Sequence, residues 1–132
     1  MEKTKGQIEA DISEALIKFE KEYMGRGPDE TKTYFLDDII VVRLQRVLTP
    51  AEKQLAKANE STKGRVLVKQ VRTELLEKAR PLLEKAISDI TGRRVISLHT
   101  DISTVTGERI IVFTLEDSPL DGNAQPEKAG EK

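Results

Sequence analysis

The chain has 132 residues, 34% of them charged and 37% apolar, with a net charge of −1 at pH 7. That length suits one domain with one core, and the near-zero charge supplies no global field for nucleic acid or an anionic membrane, so any basic site must be a local patch. The lack of cysteine excludes disulfides, thiolate nucleophiles and cysteine-ligated metal sites, and the lack of tryptophan argues against base-stacking platforms.

No apolar run approaches the roughly 20 residues that span a bilayer, and the start Met-Glu-Lys-Thr-Lys-Gly has no signal-peptide core. The expectation is a cytoplasmic, soluble protein. Thr4 and Gln7 have capping-box spacing at the start of a first helix. Ile8, Ile12, Leu16, Phe19 and Tyr23 recur at intervals of three and four, one apolar stripe, with Glu9, Glu14, Lys18 and Lys21 on the wet face. Gly25 stands where a left-handed C-cap is expected. The Gly25-Arg26-Gly27-Pro28 turn is a helix stop first. Its flanked Arg26 has little packing to do, which makes it a candidate for a ligand contact.

Thr31 to Leu36 and Ile39 to Gln45 are β-rich segments around Asp37-Asp38, a tight hairpin whose aspartates read as turn formers. Thr49-Pro50-Ala51-Glu52 is a capping box with proline at the first helical position, opening a short helix anchored by Leu55. Ala58 to Gly64 reads equally as loop or helix. Arg65 to Ile90 is the long helix. Its main stripe is Leu67, Val68, Val71, Leu75, Ala79, Leu82, Ala86 and Ile90, widened by Leu76, Leu83 and Ile87. Pro81 predicts a kink or break near Ala79-Arg80, and Gly92 closes the helix. Arg65, Lys69 and Arg72 form a basic patch on it, a solvated charged face in the plainer reading.

Arg94 to Leu115 is the densest β-forming stretch, two strands joined by Ser103 to Gly107, with Gly107 expected in the left-handed region. Strand alternation puts Ile96, Leu98, Thr100 and Ile102 under the helices, with Val95, Ser97, His99 and Asp101 on the other face. The second strand is apolar on both faces, which predicts a central position. His99 and Asp101 are neighbours on one face. A carboxylate beside an imidazole can tune a base or support a metal, but neither a nucleophile nor a full ligand set accompanies them. No catalytic set, metal site or cofactor is read here. His99, Asp101, Glu108 and Arg109 stand, with Arg26, as candidate ligand or partner contacts.

The element order α-β-β-α-β-β predicts an α+β fold: a two-layer sandwich with a four-stranded antiparallel sheet of two hairpins and helices packed on one face. Residues 1–115 form the single domain and 116–132, polar and nearly free of large apolar residues, a disordered tail. The second sheet face carries Ile39, Val41, Val95, Ile110 and Val112, which predicts dimerisation.

Three stretches carry a family likeness: Phe19-Glu-Lys-Glu-Tyr-Met-Gly-Arg-Gly-Pro28, Leu48-Thr-Pro-Ala-Glu-Lys-Gln-Leu-Ala56, and Leu98-His-Thr-Asp-Ile-Ser-Thr104 with Thr106-Gly-Glu-Arg-Ile-Ile-Val-Phe-Thr-Leu115. Together the chain resembles the MpsC-like domain family, the C component of a Na+-translocating, membrane-potential-generating system. The resemblance implies a link to a membrane system that supports membrane potential or inorganic-carbon uptake, and brings no catalytic residues. The leading expectation is therefore a non-enzymatic interaction or regulatory module, a homodimer acting on a membrane-protein complex. A nucleic-acid or ribosome-associated binder is the alternative, opposed by the charge balance. A small-anion binder or enzyme using Arg26, His99 and Asp101 is the third, and it requires those residues to share one pocket.

Overall fold

The computed structural model describes residues 3–57 and 63–119. Helix α1 spans Lys5–Phe19, and a π-helical turn follows over Glu20–Met24. Strands β1 (Glu30–Leu36) and β2 (Ile39–Gln45) form the first hairpin, helices α2 (Pro50–Ala56) and α3 (Lys63–Thr91) follow, and β3 (Val95–Ile102) and β4 (Arg109–Leu115) close the chain. The fold is α+β, and the sheet is antiparallel throughout, with strand order β1-β2-β4-β3. Strand β4 is central, as its two apolar faces require. Helices α1 and α3 lie against β1 and β3 and against each other.

Local chemistry sets the boundaries. Thr4 and Thr49 each close a full capping box, with Gln7 and Glu52 as reciprocal partners. Gly25, Gly92 and Gly107 take positive φ, and Asp37 does so in the two-residue hairpin turn. The outer edge of β1 is shielded from α1: Glu9 accepts from the Phe35 N–H at 3.2 Å, and Ser13 and Thr33 share a hydrogen bond of 2.7 Å. Of the ambiguous stretch from Ala58 to Gly64, Gly64 lies in the first turn of α3 and 58–62 lie outside the described residues. The expected tail lies outside them from residue 120 on, while Ser118 is buried.

The core lies between the helices and the inner sheet face. Ile12, Leu16, Ile40, Val42, Leu44, Ile87, Ile111 and Phe113 are fully excluded from water, each contributing about 1.5–3 kcal/mol of burial. Four details differ from the sequence reading. The π-turn adds a residue to the helical step, so Met24 follows Phe19 into the core and Tyr23 turns out to 38% exposure. Helix α3 is rotated: Val68, Leu76, Ala79, Leu83 and Ile87 are buried, whereas Leu67, Val71 and Leu82 are exposed. It also continues unbroken through Pro81. Finally, a β-bulge between Val95 and Ser97 packs Val95 against the core and turns Ile96 out.

Candidate functional site

Both hairpins bring one end of the sheet together. Register pairs Glu30 with Gln45, Leu44 with Arg109 and Arg109 with Ile102. The same end therefore carries the turn before β1, the corner after β2, and the β3–β4 loop. Most of the polar residues singled out from the sequence lie here, though not in one group.

Beneath this end lies a buried ionic cluster. Glu20, Arg72 and Arg109 are 0%, 1% and 2% exposed. Glu20 accepts from Arg72 at 3.0 Å through one oxygen and from Arg109 at 3.4 Å through the other. Arg72 also donates to both oxygens of Glu52, at 2.9 and 2.8 Å, and to the Val47 carbonyl at 2.9 Å. Arg109 reaches the Thr100 hydroxyl at 3.2 Å. Two guanidinium groups thus balance two carboxylates, which is what permits their burial. Burial works against Arg72, but the Glu52 hydrogen bonds and the Glu20 charge outweigh it and raise its pKa. For Arg109 burial wins over the Glu20 charge, and its pKa falls. Burial would raise Glu52, yet the bonds from Arg72 and the Thr49 N–H hold its carboxyl below the ordinary value. With both Glu20 oxygens engaged, the cluster ties the π-helical turn after α1 to α2, α3, β3 and β4.

The corner after β2 uses Arg26. Its guanidinium donates to the Arg46 and Leu48 carbonyls and to Asp29 at 2.7 Å, and Asp29 also pairs with Arg46 at 2.7 Å. The Arg46 hydrogen bond, followed by the Arg26 charge, lowers the Asp29 pKa despite some desolvation. Arg46 has φ of +56°, an uncommon state for a residue with a side chain. Arg26 therefore clamps a strained turn. His99 stands exposed on β3, two strands away, with no polar partner among the described residues. Asp101 pairs with Lys69 at 2.9 Å, and that hydrogen bond lowers its pKa. Glu108 pairs with Arg43. Arg26, His99 and Asp101 thus answer to three different sets of neighbours. The basic patch divides as well: Arg72 is buried on the core face, Lys69 is engaged by Asp101, and Arg65 lines a cavity.

That cavity, of about 390 Å³, lies between α2, the start of α3 and the β3–β4 loop. Leu48, Ala56 and Val105 contribute apolar surface to it, and Lys53, Lys57, Arg65, Thr104 and Thr106 polar groups. A smaller cavity of about 210 Å³ shares Thr106 and is lined by Arg43, Gln45, Arg46 and Glu108. Among the described residues, no group of three or more His, Asp or Glu is placed to hold a metal, and no helix is long and apolar enough to cross a membrane.

A family model described as the Na+-translocating membrane potential-generating system (MpsC) matches residues 4–117. The chain belongs to the MpsC family. This MpsC-family chain is also 45% identical over 115 residues to the uncharacterized protein YbcI of Bacillus subtilis (strain 168), covering 87% of this chain and 90% of that protein. No solved structure matches. The family match takes in every element of the MpsC fold described here, including the ionic cluster and both cavities.

The cluster is the feature that the sequence reading of this MpsC chain passes over, and its signal was present. Glu20 continues the spacing Ile8, Ile12, Leu16. Arg72 lies midway between Val68 and Leu76. Arg109 alternates in phase with Ile111, Phe113 and Leu115. A charge at three separate core-phase positions points to mutual pairing, since an unpaired charge cannot be buried there.

Proposed function

We propose that this chain is a non-enzymatic, homodimeric component of a Na+-translocating membrane-potential-generating system, acting by docking. Family membership supports the system; the outer face of the sheet carries the dimer. Register arranges that face in three rows. Leu36, Ile39, Thr114 and Ser97 form the first; Tyr34, Val41, Val112 and His99 the second; Lys32, Arg43, Ile110 and Asp101 the third. Tyr34 and Leu36 are 44% and 60% exposed, and Ile39, Val41, Ile110 and Val112 are half-buried. Both principal helices occupy the opposite face. An apolar sheet face of this width is a docking surface.

Its charges select a second copy, and one orientation of it. A two-fold axis along the strands lays β1 over the partner's β3. Val41 then meets Val112, and Lys32 meets Asp101. An axis across the strands would press Ile39 against Arg43 and Leu36 against Lys32, leaving charge on apolar surface. The first arrangement keeps Val41 on Val112 and sets a cation against a carboxylate at Lys32 and Asp101, which also pairs with Lys69; its one charge over apolar surface, Arg43 on Ile110, is already neutralised by Glu108.

The function is tested in cells carrying a deletion of the gene, with a voltage-sensitive dye in Na+ medium. Deletion should lower the membrane potential, the wild-type chain should restore it, and Val41→Lys should not. An unchanged potential after deletion would remove the link to the system.

A further inference from the structure

We propose that the cavity between α2, α3 and the β3–β4 loop binds a phosphomonoester, carried either on a small soluble metabolite or on a lipid headgroup. The site is separate from the outer sheet face and shares no residue with it. Lys53 on α2 and Lys57 at its C-cap are four residues apart, and Arg65 lies in the first turn of α3. None of the three has a carboxylate within ion-pair distance among the described residues. The neighbouring cavity differs: its cations Arg43 and Arg46 are engaged by Glu108 and Asp29. Three cations on one concave wall, with no acidic residue among the described residues that line it, favour a dianion over a monoanion.

The other wall supplies direction. The β3–β4 loop is held by its own bonds: the Ser103 hydroxyl accepts from the N–H groups of Val105 and Thr106, and the Gly107 N–H reaches the Ser103 carbonyl at 2.8 Å. The loop is tied to the corner after β2 through the Val47 N–H and the Gly107 carbonyl at 2.9 Å. The Thr104 and Thr106 hydroxyls are therefore presented by a fixed loop, and each has a proton to donate. Leu48, Ala56 and Val105 leave an apolar wall for a short organic body beside the phosphate. Glycine fixes the spacing of the elements around it. A Cβ at Gly64 would lie 1.9 Å from the Leu55 carbonyl oxygen, and Gly107 requires its φ of +78°. A volume near 390 Å³ is at the small end of ligand sites, and it suits a compact phosphate ester.

The test is an NMR titration of the full chain with glycerol 3-phosphate, beside flotation with phosphatidylcholine vesicles with and without phosphatidic acid. Saturable shifts at Lys53, Lys57, Thr104 and Gly107 with the soluble ester would assign a metabolite. Binding only to the phosphatidic-acid vesicles would assign a headgroup. Lys53→Gln and Arg65→Gln should each weaken binding about tenfold, and Lys78→Gln, on an exposed part of α3, should not. No saturable binding in either arm, or equal weakening by Lys78→Gln, would overturn the proposal.

Discussion

Glu20 is surrounded by arginine, with one oxygen on Arg72 and the other on Arg109. Glu20→Ala leaves two buried guanidinium groups facing each other, and should cost about 3–5 kcal/mol in urea unfolding. Replacing Glu20, Arg72 and Arg109 by Leu, Met and Met, together with Glu52→Gln, should cost less than that single change, because it removes all four charges along with their pairing. Glu52 gives the cluster a pH dependence. Its pKa is lowered on folding, so the folded state binds the proton less readily than the unfolded one. The resulting stability is fully present above the unfolded carboxylate value, about 4.3, and is lost as pH falls through the lower folded value. Glu52→Gln keeps an acceptor for the Thr49 N–H but removes the titration. The urea midpoint of that variant should fall less steeply below about pH 4.3 than that of the wild type. At this scale the sequence was legible where a residue's local duty decides its place, as with Thr4, Thr49, Gly25 and Gly107. It was not legible for Arg26. Its flanking glycines suggest a side chain free for a ligand, and only folding brings the Arg46 and Leu48 carbonyls to it.

Helix α3 shows why element type is easier to read than element phase. Apolar residues cover more than half its circumference, so both Leu67-Val71-Leu82 and Val68-Leu76-Leu83 make continuous stripes. The second set is buried, in phase with the salt bridges of Arg72 to Glu20 and Glu52. The bulge at Ile96 left no mark in the sequence, since no glycine or proline accompanies it. Close approach of α2 and α3 at Gly64 gives a sharp contrast between two glycines. Gly64→Ala must separate the helices and should destabilise by roughly 1–3 kcal/mol. Gly6→Ala, in α1 with nothing within 4 Å of the new Cβ, should stabilise by about 0.5 kcal/mol. Thermal unfolding of the two variants checks both signs. The sheet makes a further prediction about pairing between copies. Lys32→Glu and Asp101→Lys should each weaken the dimer about three- to tenfold in sedimentation equilibrium, and together they should restore part of it, since Asp101→Lys also breaks the pair with Lys69.

For the whole molecule, the α+β architecture and the antiparallel sheet follow from two hairpin signals, two capping boxes and the doubly apolar β4. Those are local features, and each survives in the fold. The ionic cluster and the cationic cavity depend on residues far apart in the chain: Glu20 meets Arg109, and Lys53 and Arg65 face Thr104. Such meetings are settled by packing, and the sequence shows them only as charges at core phase or as unpaired cations. The outer sheet face lies between these cases. Its apolar residues alternate plainly in sequence, and the register aligns them into rows bounded by Lys32, Arg43 and Asp101. This face, we propose, is covered by a second copy. Light scattering coupled to gel filtration at micromolar concentration tests it most directly. The wild-type chain should have twice the mass of one chain, and Val41→Lys, with unchanged circular dichroism, should have the mass of one. A wild-type chain that runs as a monodisperse monomer would contradict the account.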